Sequence, residues 1–192
     1  MAKMTLFTMP QSPYCEKARW ALDLSGREYR EERYPVPFQR GPVKAAGGGG
    51  KVPFLVLENG KTLDESNDIL KYVSEGLKPE ENLFPDDPVT GPLVRDFCAR
   101  VERDFAPEVT RFFYQHLSKD QFFRVFTAGS EHEKIQKFKY IAWAVRPIFG
   151  WQSKINNDAF KTAVRRIDKF YETVDSLLSD GRRYLFCDRL TA

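Results

Sequence analysis

The chain has little cysteine and less histidine, three of one and two of the other in 192 residues. Cys15, Cys98 and Cys187 are odd in number and far apart, which argues against a secreted disulfide framework and against zinc-ligand spacing. Reduced thiols are expected. His116 and His132 stand outside any His-Glu-x-x-His arrangement, so metal-assisted hydrolysis has no visible ligand set and no metal is expected. No stretch approaches the roughly 18 apolar residues of a membrane span, and the first residues lack a signal-peptide pattern. A cytoplasmic protein without a membrane partner is the expectation. An excess of one charge is also missing: 30 basic against 27 acidic residues leave +3, which gives no basis for nucleic acid as the partner.

What is present is 42% apolar residues in a chain long for one compact domain and short for two. Thr5 to Met9 reads as a short apolar strand, and Cys15 to Leu24 as an amphipathic helix stopped by Ser25-Gly26. Glu28 to Tyr34 reads as a second strand, and Pro35 to Gly50 as a surface connection rich in proline and glycine. Pro53 to Leu57 and Lys61 to Leu63 flank Asn59-Gly60, a hairpin signal that predicts an antiparallel pair. Ser66 to about Glu75 carries Ile69, Leu70 and Val73 on one helical face. The order β, α, β, then β, β, α predicts a sheet with both parallel and antiparallel pairs. Gly76 to Pro92 breaks the periodicity. Beyond it Leu93, Val94, Phe97 and Val101, then Val164, Ile167, Tyr171, Val174 and Leu178, recur at helical spacing, so the second part reads as all-helical, with Pro107 kinking or dividing a helix and breaks at 129–132 and Gly150.

Three short segments carry chemistry. Ser12-Pro13-Tyr14-Cys15 puts a hydroxyl and a thiol at a helix start, where unpaired N–H groups and the positive end of the helix dipole favour a thiolate. Lys51-Val52-Pro53 opens a strand, and Asp64-Glu65-Ser66 opens a helix. Each also has an ordinary reading: Ser12 as a helix cap, Lys51 as a solvated side chain, Glu65 and Ser66 as a helix start, Cys15 as buried packing. A phosphate loop over Gly47 to Lys51 fails because Val52 stands where Ser or Thr is required.

In this order and spacing the three segments resemble the thioredoxin-like amino-terminal domain of soluble glutathione transferases, and the serine start is most like the tau and related classes. Leu83-Phe84-Pro85-Asp86-Asp87-Pro88 resembles the family's interdomain linker. The resemblance implies an α/β thioredoxin-like domain over 1–76, a linker over 77–91 and an all-α domain over 92–192. Gly47 to Gly50 replace the usual Asn-Pro-x-Gly, and family members continue past Leu190-Thr191-Ala192, so a shortened helical domain with Val164, Ile167, Tyr171 or Val174 partly uncovered is expected.

The resemblance also implies glutathione as co-substrate. Ser12 would donate to its sulfur, Lys51 would meet the glycine carboxylate, Val52 would pair with the cysteinyl unit ahead of a cis bond to Pro53, and Glu65 and Ser66 would hold the γ-glutamyl end. Trp20, Trp143, Trp151 and Phe112-Phe113-Tyr114 are candidates to line an apolar pocket. The implied activity is conjugation of glutathione to a small hydrophobic electrophile by a homodimer. Two alternatives stay open: a glutathione-dependent thiol/disulfide reductase using Cys15, since the segment looks like a glutaredoxin Cys-Pro-Tyr-Cys without its first sulfur, and a non-catalytic transferase-like binding module.

Overall fold

The computed structural model describes residues 3–35, 38–118, 121 and 157–192. Trp143, Trp151, His132 and the breaks at 129–132 and 150 lie outside these residues. The described chain divides into two compact units, one ending at Lys78 and one beginning at Pro79.

In the first unit β1 (Met4–Thr8) leads to α1 (Pro13–Leu24), β2 (Tyr29–Arg33), α2 (Arg40–Ala45), β3 (Phe54–Val56), β4 (Thr62–Leu63) and α3 (Ser66–Glu75). The sheet order is β2-β1-β3-β4. Strand β1 pairs parallel with β2, and β3 pairs antiparallel with both β1 and β4. This mixed sheet with helices is the thioredoxin-like arrangement. The hairpin closes as Asn59-Gly60 requires: Gly60 takes φ 81°, and the Lys61 N–H donates to Asn59 Oδ1 at 3.0 Å. Helix α1 starts two residues before Cys15 because Pro13 suits the first helical turn, where its missing N–H costs nothing.

The segment between β2 and β3 corrects the expectation of a surface connection. It folds into α2, whose Val43 is fully buried against Phe7 and Phe54, with Tyr34, Ala46, Val52 and Val56 around them. Alternation along the strands puts Met4, Leu6 and Leu55 on the other face, all fully buried. Ala18, Leu22, Ile69 and Val73 of the mutually packed α1 and α3 are buried as well.

Three of the four consecutive glycines have a stereochemical reason. Gly47 and Gly50 take φ 93° and 92°, a region costly for side chains. A Cβ on Gly48 would stand 2.6 Å from the Phe54 ring and 2.7 Å from Val43. Gly49 has open space and ordinary backbone. Gly48→Ala should therefore overpack the α2–β3 core and lower stability by about 1 to 3 kcal/mol, whereas Gly49→Ala should be neutral or gain up to about 1 kcal/mol. Urea unfolding of the two variants checks this; equal effects would refute it.

The second unit contains α4 (Thr90–Arg100), a π-helical turn (Val101–Phe105), α5 (Ala106–His116) and α6 (Asn157–Leu177). Helix α4 begins before Leu93 because Pro92 is tolerated in a first turn. The Ala106 N–H donates to Val101 C=O, five residues back, immediately ahead of Pro107. The widened turn lies where Pro107 removes an α-helical donor, so the expected division of the helix takes this form. Phe97, Phe105 and Phe170 pack ring against ring, and Phe186 joins them edge-on at 5.3 Å. Tyr171 is 57% exposed, and Val164, Ile167 and Val174 are half-buried.

Buried Glu108 joins α5 to α6. It accepts from Arg111 at 2.5 Å and from Arg166 at 2.6 Å. Burial pushes this carboxyl up, but the two guanidinium groups outweigh it and hold it below the ordinary glutamate range. A depressed pKa in the folded state contributes stability above the unfolded value, about 4.3, and that contribution is lost as pH falls through the folded value. Glu108→Gln should thus cost roughly 1 to 3 kcal/mol near neutrality, with both arginines partly exposed to solvent screening. The gap between wild type and variant should close as pH drops below about 4. A gap that stays constant with pH would show that the carboxylate charge does not stabilise the helix pair.

Candidate functional site at one end of the sheet

Strand register decides where the sequence-predicted residues meet. Phe7 pairs with Phe54 at the end of the antiparallel β1–β3 ladder, so the exit of β1 and the entry to β3 lie at the same end of the sheet. Leu63 pairs with Leu55, which returns the chain to the same end of the sheet just before Ser66. The turn into α1, the entry to β3 and the start of α3 therefore lie together. The Lys17 ammonium donates to Asn67 Oδ1 at 2.5 Å and ties the second turn of α1 to the first turn of α3.

Ser12 caps α1. Its backbone is extended, its side chain is buried, and its Oγ accepts from the Cys15 N–H at 3.3 Å. This is the ordinary role of a capping serine. A hydroxyl has one hydrogen and two lone pairs, so the cap leaves its own O–H available for donation. Within the chain that hydrogen faces the Cys15 sulfur, whose pKa the Ser12 hydroxyl pulls down.

Cys15 is fully buried, and its sulfur accepts from the Met9 N–H at 3.4 Å. Burial pushes the thiol up, against the Ser12 hydroxyl, the Met9 N–H and the Arg19 guanidinium, which pull it down; the net shift is upward. A thiol of this kind is neutral and hidden, the opposite of a reactive sulfur. Arg19 is engaged elsewhere: it bonds Glu31 Oε1 at 2.7 Å and also meets Glu16. Glu31 further accepts from Thr8 at 2.6 Å and Arg33 at 2.6 Å. Burial raises the Glu31 carboxyl, while Arg33, Thr8 and Arg19 together bring it below its usual value.

Lys51 is exposed at the end of the glycine run, and the Val52–Pro53 bond is cis, as the resemblance implied. Glu65 is the capping residue of α3 in extended conformation, with an exposed side chain. Ser66 begins the helix and is buried. Its first-turn N–H groups are a natural anion seat. Sequence reasoning missed Arg40, whose Cα, Cβ and Cγ lie 3.5 Å from where a Gly50 side chain would begin. That contact sets the start of α2 against the loop that ends in Lys51, and only the unforeseen helix brings it there.

Residues 6–80 match the family model of the glutathione S-transferase N-terminal domain. A probable glutathione S-transferase of Solanum tuberosum is 28% identical over 146 residues, covering 73% of this chain and 58% of that protein. The chain thus spans less than two thirds of this curated relative. Among solved structures, a glutathione S-transferase of Methylobacterium radiotolerans in complex with glutathione sulfonate aligns with TM-score 0.63 and 20% identity, covering 99% of this chain and 73% of that one. A tau-class glutathione S-transferase of Mangifera indica aligns with TM-score 0.61 and 18% identity over 98% and 70% of the two chains. Residues 6–80 are thus similar to the amino-terminal domain of glutathione S-transferases, and the solved structures share the fold of the chain.

Proposed function

We infer that the chain binds reduced glutathione at this end of the sheet, lowers the pKa of its thiol and adds the sulfur to a small apolar electrophile. The observation that carries the reading is the Ser12 hydroxyl: it is fixed at the start of α1 by accepting from the Cys15 N–H, and its own O–H can turn from the Cys15 sulfur to a ligand thiolate. A free thiol with pKa near 8.5 is only a few per cent ionised at neutral pH. Lowering that value by about two units takes roughly 2.7 kcal/mol of preferential thiolate stabilisation. One charge-assisted hydrogen bond of about 1.5 to 3 kcal/mol together with the helix-start field is of that size. Ser12 need not take a proton; it donates to sulfur.

The other contacts follow the ligand's charges. Lys51 faces the glycine carboxylate, Val52 offers backbone N–H and C=O to the cysteinyl unit, and Glu65 and Ser66 take the ammonium and carboxylate of the γ-glutamyl end. In this reading residues 1–76 are the glutathione-binding domain, 77–91 a linker and 92–192 the helical domain. The protein is a serine-type transferase of tau-like kind, a cytoplasmic homodimer acting in detoxification, with no metal. The hidden, neutral state of Cys15 is the physical argument against the reductase alternative.

Ser12→Ala should leave glutathione affinity within a few-fold and cut conjugation by about two powers of ten, the loss of one thiolate donor. Unchanged turnover at saturating glutathione removes the residue from the mechanism. Glu65→Ala and Ser66→Ala should instead weaken binding, which isothermal titration reads directly. Cys15→Ser should preserve conjugation, since only a sulfur can form a mixed disulfide and conjugation needs none. Loss of conjugation in Cys15→Ser with retention in Ser12→Ala would reverse the two assignments.

A further inference from the structure

We propose that the Gln11 side-chain amide reads the second substrate, selecting electrophiles that carry a primary carboxamide conjugated to the reactive double bond. The inference rests on the conjugation reading above. Gln11 lies directly before Ser12, in the turn closed by the Ser12 N–H donating to the Met9 C=O at 3.2 Å. Both polar atoms of its amide, Nε2 and Oε1, are buried, and neither has a hydrogen-bond partner among the described residues. Buried polar groups are nearly always paired, and an amide with both ends orphaned is held at a cost in free energy. Packing does not explain it, because an apolar side chain of similar size would fill the place without that cost.

The orphaned atoms are a donor and an acceptor side by side. The ligand edge that satisfies both at once is the same pair reversed, as when a glutamine meets adenine in two hydrogen bonds. A primary carboxamide presents such an edge, with its C=O and one N–H on the same side. Gln11 Nε2–H then donates to the substrate oxygen, and the substrate N–H donates to Gln11 Oε1. Access requires the Gln11 side chain to rotate about its own bonds, with Ser12 left in its cap, and the orphaned amide lowers the cost of that rotation, because opening gives it partners.

The chemistry that suits this pairing is addition to an α,β-unsaturated amide. The glutathione thiol releases its proton to solvent, and the thiolate forms a C–S bond to the β-carbon. The double-bond electron pair moves to an enolate, whose oxygen accepts from Gln11 Nε2–H, and the α-carbon then takes a proton from water. No group leaves. The hydrogen bond strengthens as charge develops on that oxygen, so it acts on the transition state rather than on binding alone.

The test compares kcat/KM for acrylamide, N,N-dimethylacrylamide and benzyl chloride in wild type and in Gln11→Leu, each divided by the rate with glutathione alone. Wild type should favour acrylamide over its dimethyl form by about tenfold, the weight of one hydrogen bond, and the variant should lose that preference. Benzyl chloride conjugation should stay within about twofold in the variant, as expected for an electrophile with no amide edge. Thermal unfolding of Gln11→Leu, or of Gln11→Met should leucine not fold, should give a midpoint at or above wild type. A lowered midpoint in both variants overturns the inference, because the amide then already has partners within the chain. Benzyl chloride conjugation without any acrylamide preference overturns the inference alone. No benzyl chloride conjugation in wild type overturns the conjugation reading and the inference with it.

Discussion

Strand β1 is hydrogen-bonded along both edges, parallel to β2 on one and antiparallel to β3 on the other, and the position of every candidate ligand contact depends on that pairing. A one-residue slip in the β1–β3 ladder would turn Phe7 and Phe54 to opposite faces and break their packing with Val43. The same slip would move Val52 relative to Met9 and the turn that holds Ser12. Core packing thus holds the site in register. The tightly packed Gly48 is part of this control, because it lets α2 close on Phe54 at the base of the loop that ends in Lys51.

Electrostatics fixes the second coordinate, the attachment of α1 to the sheet. Glu31 on β2 gathers Thr8 from β1, Arg19 from α1 and Arg33 from its own strand. Arg19 and Glu31 are each mostly shielded from water, with side-chain exposures of 11% and 13%. Such a pair is costly to break because either partner alone would be left uncompensated. It anchors the middle of α1, so the helix start is presented at a fixed height above the sheet end. Arg19 gives a small pull toward ionising Cys15, and burial overrides it.

Much of this was legible in the sequence where the signal is local. Asn59-Gly60 dictates a tight hairpin, Pro13 is allowed only in a first turn, and Ile69, Leu70 and Val73 mark the buried face of α3. Helix α2 escaped because it is six residues long, contains Gly41 and Pro42, and has no side-chain cap to announce it. Glu108 escaped for a different reason. Its i,i+3 partner Arg111 is visible on a helix, but Arg166 stands 58 residues away and only the packing of α5 on α6 brings it in. Gln11 gave no sequence signal at all, since a glutamine in a turn is unremarkable until both ends of its amide prove to be enclosed and unpaired.

The capping and catalytic readings of Ser12 are one arrangement, not rivals. A serine that caps a helix accepts through a lone pair, and Cys15 N–H uses that capacity at 3.3 Å. Acceptance does not use the hydroxyl hydrogen, which pulls on the Cys15 sulfur within the chain and can turn to an anion that settles at the helix start. The capping bond also removes rotational freedom that a thiolate would otherwise have to freeze, so the donor is preorganised before the ligand arrives. Cysteine at the same position would be a weaker acceptor for that N–H and would itself compete for the ionised state. A serine there keeps the negative charge on the ligand's sulfur, and the protein's own nearby sulfur, Cys15, stays neutral because it is buried.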